Sequence, residues 1–453
     1  MAPPGYATVR GALAALPLED LCHARELARA WREEACCLQE LPAFRHAAFA
    51  KALRALPQLG RSFPHLARGS LTLRIDDEYS LHDLEQLEGP CGELLGELSV
   101  LLSEGTSDES LARLLRGCRL LRSLEVTDYD LVGGQHLRGQ FLKELPRCLE
   151  SLAVRVFPSI SDDTFRSAMA AAPDLRVVEC EGLDDVTDAG LRTLASLPRL
   201  RKLRLALTRL GAQPQISEET LFFILEGCIA DRGEDALDDV GLEVLELAVP
   251  VGPPLRLSGG GAPLASALRG HTALRSLVLS GVCGLADSGL DALAHACPEL
   301  RELVLYRPGE LFSGEGLLRC LSRLGRLERL TLGAVARFQD AFAAVCAACS
   351  ERLLWLKMTR YFNSTGSADA AVVLRRLRAF RSLEAAVFSG TFSAEQAKAA
   401  ESAVLAPGGL HFCEGISMQQ LNEQTFRAQL PRSCGASACT VTFERCLREQ
   451  DFR

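Results

Sequence analysis

One pattern of apolar residues recurs through most of this chain and restricts its possible folds more than any other feature. The pattern is Leu-x-x-Leu-x-Leu, with Val, Cys, Met or Phe also found at the apolar places. Clear copies, with weaker ones first and last, begin at positions 68, 95, 121, 149, 175, 200, 242, 274, 300, 327, 353 and 383. Their average spacing is about 28.6 residues. Such a period predicts stacked units that share one continuous core.

Each unit combines two periodicities, as the copy that begins at Leu274 illustrates. Leu277 and Leu279 alternate with Val278, which is the period-two pattern of a half-buried strand. Helical spacings of three and four follow at Leu290, Leu293 and Ala294. Pro298 then ends the helix, because proline cannot continue the helical hydrogen bonds. The sequence therefore predicts an α/β repeat in which a strand and a helix alternate.

These units resemble the cysteine-containing class of leucine-rich repeats. Two stretches carry the resemblance most closely, 175–200 and 274–300; the second includes Cys283, Asp287-Ser288-Gly289-Leu290 and Cys297-Pro298. The resemblance implies a leucine-rich-repeat solenoid with a curved parallel β-sheet on the concave side and helices outside. We assign about twelve units to residues 68–410, and a C-terminal cap or tail to 411–453. Two long steps, from 200 to 242 and from 242 to 274, predict insertions in connecting loops.

The first 45 residues do not follow the repeat and contain a short helical pattern. The runs Leu16-Pro17-Leu18-Glu19-Asp20-Leu21 and Arg25-x-Leu27-x-x-x-Trp31 resemble the second half of an F-box. Leu27 and Ala28 depart from the usual valine and cysteine, so we describe residues 1–45 as a divergent F-box-like module and 46–67 as a helical linker or cap. The resemblance implies an adaptor-binding surface at Leu13, Leu16, Pro17, Leu18, Leu21, Leu27 and Trp31. The alternative is that 1–45 only caps the solenoid.

An F-box followed by cysteine-containing repeats is typical of the substrate-recognition subunits of SCF-type cullin ubiquitin ligases. The resemblance thus implies a Skp adaptor and a cullin scaffold as partners, together with an unidentified protein substrate. The chain itself would be a non-catalytic receptor, because no residue is expected to carry the ubiquitin thioester. The alternative function is a leucine-rich-repeat scaffold or inhibitor with no role in a ligase. A GTPase-activating repeat protein is a further rival, but the sequence offers no clear arginine or asparagine for it.

Aligned strand positions between the apolar places predict where a substrate would bind, since neighbouring strands lie ~4.8 Å apart. Three rows are expected: Glu302, Arg329 and Trp355; Val304, Thr331 and Lys357; Tyr306, Gly333 and Thr359. Arg, Trp and Tyr are enriched at binding hot spots, so the predicted substrate-binding residues are Glu302, Tyr306, Arg329, Trp355 and Lys357. Alternatively, Trp355 fills a strand-to-helix corner. The charged pair Lys202 and Glu246 is expected to be solvated surface.

Charge and motifs argue against several other functions. A net charge of -8 gives no positive field for nucleic acid, and no segment predicts a signal peptide or a membrane span, so we expect a location in the cytoplasm or nucleus. Cys346 and Cys349 have metal-ligand spacing without a second pair and are expected to be reduced structural thiols. The run 259–261 lacks the Lys of a phosphate-binding loop and predicts a flexible insertion. No cofactor and no metal are expected.

Overall fold

The computed structural model describes residues 71–75, 95–102, 107–128, 137–157, 159–206, 216–230, 241–249, 254–309, 311–335, 337–360, 373, 376–377, 379–390, 417–422, 425–430 and 439–445. The predicted adaptor-binding residues, Leu13, Leu16, Pro17, Leu18, Leu21, Leu27 and Trp31, lie outside the described residues. The chain divides into two compact units, Met1–Leu210 and Gly211–Arg453, which we call the N-terminal and C-terminal units.

The described strands of the N-terminal unit pair in parallel and in chain order. They are β1 (Leu71–Ile75), β2 (Leu95–Leu102), β3 (Ser123–Asp128), β4 (Ser151–Arg155), β5 (Val177–Glu181) and β6 (Lys202–Ala206). The helices between them are α1 (Asp108–Gly117), α2 (Asp162–Ala171) and α3 (Asp188–Leu191), with 3-10 helices at Gln140–Glu144 and Arg192–Ser196. Leu124 lies beside Leu98 and Leu152, so equivalent motif leucines form a continuous row across the sheet.

The C-terminal unit repeats this arrangement and adds strands. Its strands are β7 (Val244–Ala248), β8 (Leu255–Arg256), β9 (Ser276–Ser280), β10 (Val282–Cys283), β11 (Glu302–Tyr306), β12 (Arg329–Val335), β13 (Trp355–Arg360), β14 (Ala385–Gly390), β15 (Ser417–Asn422), β16 (Thr425–Leu430) and β17 (Cys439–Arg445). Strands β7, β9, β11, β12, β13, β14 and β17 are parallel neighbours in that order, and β16 and β15 extend the sheet with antiparallel pairing. The helices are α4 (Glu218–Ala230), α5 (Ala262–Leu268), α6 (Asp287–Ala296), α7 (Gly314–Arg323) and α8 (Phe338–Cys349).

Burial confirms the strand-and-helix unit that the sequence predicts. Leu277 and Leu279 are fully buried, whereas Val278 between them is partly exposed. In α6, the buried residues include Leu290, Leu293 and Ala294. The core of each unit thus lies between the motif side chains of the strands and the apolar faces of the helices. Both units have the α/β architecture of a leucine-rich-repeat solenoid.

Carboxylates at the starts of helices link each strand-and-helix repeat to the next repeat along the chain. Asp287, the first residue of α6, accepts hydrogen bonds from the backbone N–H (2.6 Å) and the hydroxyl (2.7 Å) of Ser313, the N-cap of α7. Asp162 at the start of α2 accepts the same pair of bonds from Thr187, the N-cap of α3, at 2.7 and 2.6 Å. These bonds satisfy hydrogen-bond donors at the N-terminus of the next helix, and they fix the spacing between successive repeats.

The glycine run 259–261 lies in the second long step, where a flexible insertion is predicted, and it has a defined backbone conformation. Its three residues have φ values of 55°, 68° and 87°, a left-handed conformation that glycine adopts without steric cost. The carbonyl of Gly260 accepts the N–H of Ala286, at the N-cap of α6, at 3.0 Å. Nearby, β8 pairs with β10 in a separate two-stranded sheet. A segment whose composition indicates mobility thus makes a specific backbone contact with the next helix.

Candidate protein-binding face

Side chains that alternate with the buried ones form the face of each sheet that lies opposite the motif leucines, which we call the open face. In the C-terminal unit the observed register brings together four of the predicted residues. Glu302 pairs with Arg329, and Arg329 pairs with Trp355, so the first predicted row is present. In the second row, Val304 pairs with Thr331 and Thr331 with Lys357. We call Glu302, Tyr306, Arg329, Trp355 and Lys357 the C-terminal patch.

Trp355 lies on the open face and not in a strand-to-helix corner. It is the first residue of β13, it is partly exposed, and its neighbour Leu356 is fully buried on the opposite side of the strand. The guanidinium carbon of Arg329 lies 5.8 Å from the centre of the Trp355 ring, within cation–π range. The two residues therefore form the stacked pair that the alignment of the repeats predicts.

Glu302 is held more closely by a serine than by its neighbouring arginine. The hydroxyl of Ser276 donates to its carboxylate at 2.8 Å, whereas the Nε atom of Arg329 lies 4.0 Å from the other carboxylate oxygen. The Arg329 side chain remains 60% exposed. The Arg329 guanidinium is therefore only weakly paired with Glu302, and most of the side chain is open to solvent.

Tyr306 supplies the second aromatic ring of the patch. It is the last residue of β11, is 40% exposed, and pairs with Gly333 in β12. A methyl group built on Gly333 would overlap the Tyr306 ring, so the ring occupies the space that a side chain at 333 would fill. The absence of a side chain at Gly333 therefore determines where Tyr306 lies.

The third predicted row is interrupted, and this part of the prediction is wrong. Tyr306 pairs with Gly333 as expected, but the register between β12 and β13 shifts after Leu332. Ala334 has a φ of 54°, and its N–H donates to the side-chain oxygen of Thr359 at 2.8 Å. A bulge thus turns Thr359, which is 7% exposed, into a hydrogen-bond acceptor for the neighbouring backbone.

The open face of the N-terminal unit carries an ion-pair network that the sequence did not reveal. Arg155 bridges two carboxylates, at 2.6 Å from Glu125 and 3.1 Å from Glu179. The bridge spans the position of Ala153, which lies between Glu125 and Glu179 in the register and has too short a side chain to obstruct it. We call Glu125, Arg155, Glu179 and Lys202 the N-terminal network.

Glu179 is the centre of this network. Lys202 lies 2.6 Å from its carboxylate and Arg204 lies 3.7 Å from it, while the Glu179 side chain is only 14% exposed. Burial alone would raise the pKa of Glu179, but hydrogen bonds from Lys202 and Arg155 outweigh burial, and the pKa lies below its ordinary value. Lys202 is thus part of an organised cluster and not simply solvated surface.

The Cys346-x-x-Cys349 motif lies in α8 and carries thiols that do not ionise readily. Burial raises the pKa of Cys346 to about 12 and that of Cys349 to about 11. Nucleophilic attack requires the thiolate. None of the cysteine side chains that the structure describes forms a disulfide bond. The raised pKa values favour a structural role for this pair.

Three features of the open faces were missed at the level of sequence: Ser276 beside Glu302, Gly333 beneath Tyr306, and the N-terminal network. The motif alignment contains part of the signal, because it places Ala153, Glu179 and Arg204 in one row. It does not show that Arg155, from the next row, reaches two carboxylates on different strands. That contact depends on side-chain conformation as well as register.

Comparisons with known proteins give structural matches but no sequence family. No family model matches the chain, and no curated protein matches it. A chain of the yeast Rad7 and Elc1 complex is similar at 15% identity and a TM-score of 0.49, covering 85% of this chain and 86% of that one. The leucine-rich-repeat protein LegL7 from Legionella pneumophila is similar at 18% identity and a TM-score of 0.34, covering 60% and 86%. An internalin from Listeria monocytogenes is similar at 15% identity and a TM-score of 0.35, covering 76% and 83%.

The assignment of the fold therefore depends on the register and burial of this chain itself. Within the described ranges, every helix is too short or too polar to cross a bilayer.

Proposed function

We propose that this protein is the substrate-recognition subunit of an SCF-type cullin ubiquitin ligase. In this proposal, residues 1–45 bind a Skp adaptor, and the C-terminal patch binds a protein substrate. The chain contributes no catalytic residue. It would accelerate ubiquitin transfer by holding the substrate close to a recruited conjugating enzyme.

The single observation that carries the binding role is the pair of exposed Arg329 and partly exposed Trp355 at the starts of their strands, on the same sheet that exposes Tyr306 at the end of β11. Arg, Trp and Tyr are the residues most enriched at interface hot spots. Trp355 presents part of its ring to solvent beneath an arginine that is 60% exposed. An aromatic surface of this kind, on a rigid sheet, can be covered by a partner at little cost in conformational entropy.

The adaptor role depends on the F-box resemblance of 1–45 and has its own test. Full-length protein is mixed with purified Skp adaptor and analysed by size-exclusion chromatography. We expect co-elution for the wild type and for a conservative Leu18→Met, Leu21→Met variant, because both keep an apolar surface. A Leu18→Asp, Leu21→Asp variant should elute separately, since the charges oppose apolar burial.

Two results would contradict the adaptor role. One is that the wild type does not bind the adaptor, and the other is that the aspartate variant binds it as well as the wild type does. Either result would favour the alternative, a leucine-rich-repeat scaffold or inhibitor without a ligase role, in which 1–45 serves only as a cap.

A further inference from the structure

Among the residues that the structure describes, the two cations of the C-terminal patch have no acidic partners as close as those in the N-terminal network. The Nε atom of Arg329 lies 4.0 Å from the Glu302 carboxylate, its nearest described acidic group, and that carboxylate already accepts a hydrogen bond from Ser276. Lys357 lies between Thr331 and Val387 in the register, and neither of these neighbours carries a charge. The patch therefore presents two positive charges and one carboxylate that is already engaged.

Apart from Glu302 beside Arg329 and Thr331 beside Lys357, the register neighbours of these cations are apolar or aromatic. Trp355 lies beside Arg329, and the partly exposed side chains of Val304 and Val387 lie in the same row as Lys357. Tyr306, opposite Gly333 at the far end of β11, exposes a second ring on the same sheet. A ligand that covers this surface would remove water from around the cations and strengthen their attraction to an anion.

We propose that the C-terminal patch binds a short acidic segment of a protein, in which one or two carboxylates contact Arg329 and Lys357 and adjacent apolar side chains cover Trp355 and Val304. This inference rests on the proposed function, because it names the chemistry of the substrate at the same site. Arg329 can donate two parallel hydrogen bonds to a carboxylate, and Lys357 adds a point charge on the next strand.

The charge of the whole chain limits the length of this segment. With a net charge of -8, the protein repels a long polyanion at distances beyond the patch. Repulsion of this kind is screened over ~8 Å at physiological ionic strength, whereas contact with Arg329 and Lys357 acts at short range. A segment with few carboxylates and some apolar residues fits this balance better than nucleic acid or a long acidic tail.

The test uses a phage library of random 12-residue peptides, selected on the full-length protein. We expect the selected peptides to be enriched in Asp and Glu next to aromatic or aliphatic residues. An Arg329→Glu, Lys357→Glu variant should instead select peptides enriched in Lys and Arg. Circular dichroism of the variant checks that it remains folded, because an unfolded acidic chain could also attract basic peptides.

A matched control changes a cation elsewhere in the C-terminal unit. Arg269 is exposed at the end of α5, away from the strands, so Arg269→Glu should select the same acidic peptides as the wild type. For one selected peptide, replacing its Asp and Glu residues by Asn and Gln should weaken binding about tenfold or more, as measured by fluorescence polarisation.

Several outcomes would overturn the inference. They are selection of peptides without an acidic excess, selection of the same peptides by the charge-reversed variant, and failure to select any peptide. The Leu18→Asp, Leu21→Asp variant should still select the acidic peptides, because its changes lie outside the C-terminal unit. A wild type that selects acidic peptides but does not bind the adaptor would reject the ligase role alone, and a wild type that binds the adaptor but selects no acidic peptides would reject the acidic ligand alone.

Discussion

The two open faces are built on the same strand repeat but use charge in different ways. In the N-terminal unit, Arg155 lies within 3.1 Å of two carboxylates, and Lys202 lies 2.6 Å from one of them. In the C-terminal unit, Arg329 lies 4.0 Å from its one acidic neighbour in the register. When the cations of a face form close ion pairs with carboxylates of the same face, those pairs stabilise the sheet. When the cations are only loosely paired and aromatic rings are exposed, the same groups are free to contact a partner protein.

The largest effect that would test this comparison is expected at Glu179. A Glu179→Ala substitution leaves Arg155 and Lys202 without their shared carboxylate, in a site where Glu179 is only 14% exposed. We expect the free energy of unfolding to fall by about 2 to 3 kcal/mol. The matched substitution Glu302→Ala should cost less than about 1 kcal/mol, because its ion pair is long and exposed. Urea unfolding of both variants measures the difference, and equal losses would show that the two faces are not distinct.

The pH dependence of stability provides a second test at the same residue. Because the pKa of Glu179 is lower in the folded protein than in the unfolded chain, its stabilising contribution is complete above the unfolded value of about 4.3. The contribution is lost as the pH falls through the folded value. The wild type should therefore exceed Glu179→Gln in stability at pH 7, and the difference should shrink toward pH 3. A difference that stays constant between these pH values would exclude a charged role for Glu179.

A smaller effect is expected when the position of Tyr306 is disturbed. Gly333→Ala places a methyl group where the Tyr306 ring lies, so the ring must move. We expect a loss of about 1 kcal/mol and weaker binding of a selected acidic peptide. Gly325→Ala is the control, because a methyl group there meets no atom within 4 Å. Thermal unfolding and fluorescence polarisation report the two effects, and unchanged binding by Gly333→Ala would place Tyr306 outside the interface.

The smallest change in stability is expected at Arg329. Arg329→Met keeps an apolar stem beside Trp355 and removes an exposed charge, so stability should change by no more than about 0.5 kcal/mol. Arg155→Met should cost more, because it leaves Glu125 and Glu179 without their bridge. Only Arg329→Met should weaken binding of a selected peptide. A larger loss of stability for Arg329→Met than for Arg155→Met would contradict the view that the N-terminal face stabilises its sheet and the C-terminal face binds a partner.

Much of the candidate site could be predicted from the spacing of the repeat. Once the motif leucines are aligned, Glu302, Arg329 and Trp355 must occupy one row, and the observed register confirms it. The prediction failed where the backbone departs from the repeat. After Leu332 a bulge shifts the register, and Thr359 accepts a hydrogen bond from Ala334 instead of continuing a row.

The sequence by itself determined the strand-and-helix unit, its period and the residues that alternate between the core and the open face. It could do so because burial of a regular apolar pattern dominates the energy of a repeat protein. Only the tertiary structure decided which charges are satisfied. Arg155 and Arg329 are both strand residues next to an acidic neighbour in the sheet, yet only Arg155 reaches two carboxylates, because Ala153 leaves the space between them open. Side chains from separate strands decide such contacts, and the repeat pattern does not encode them.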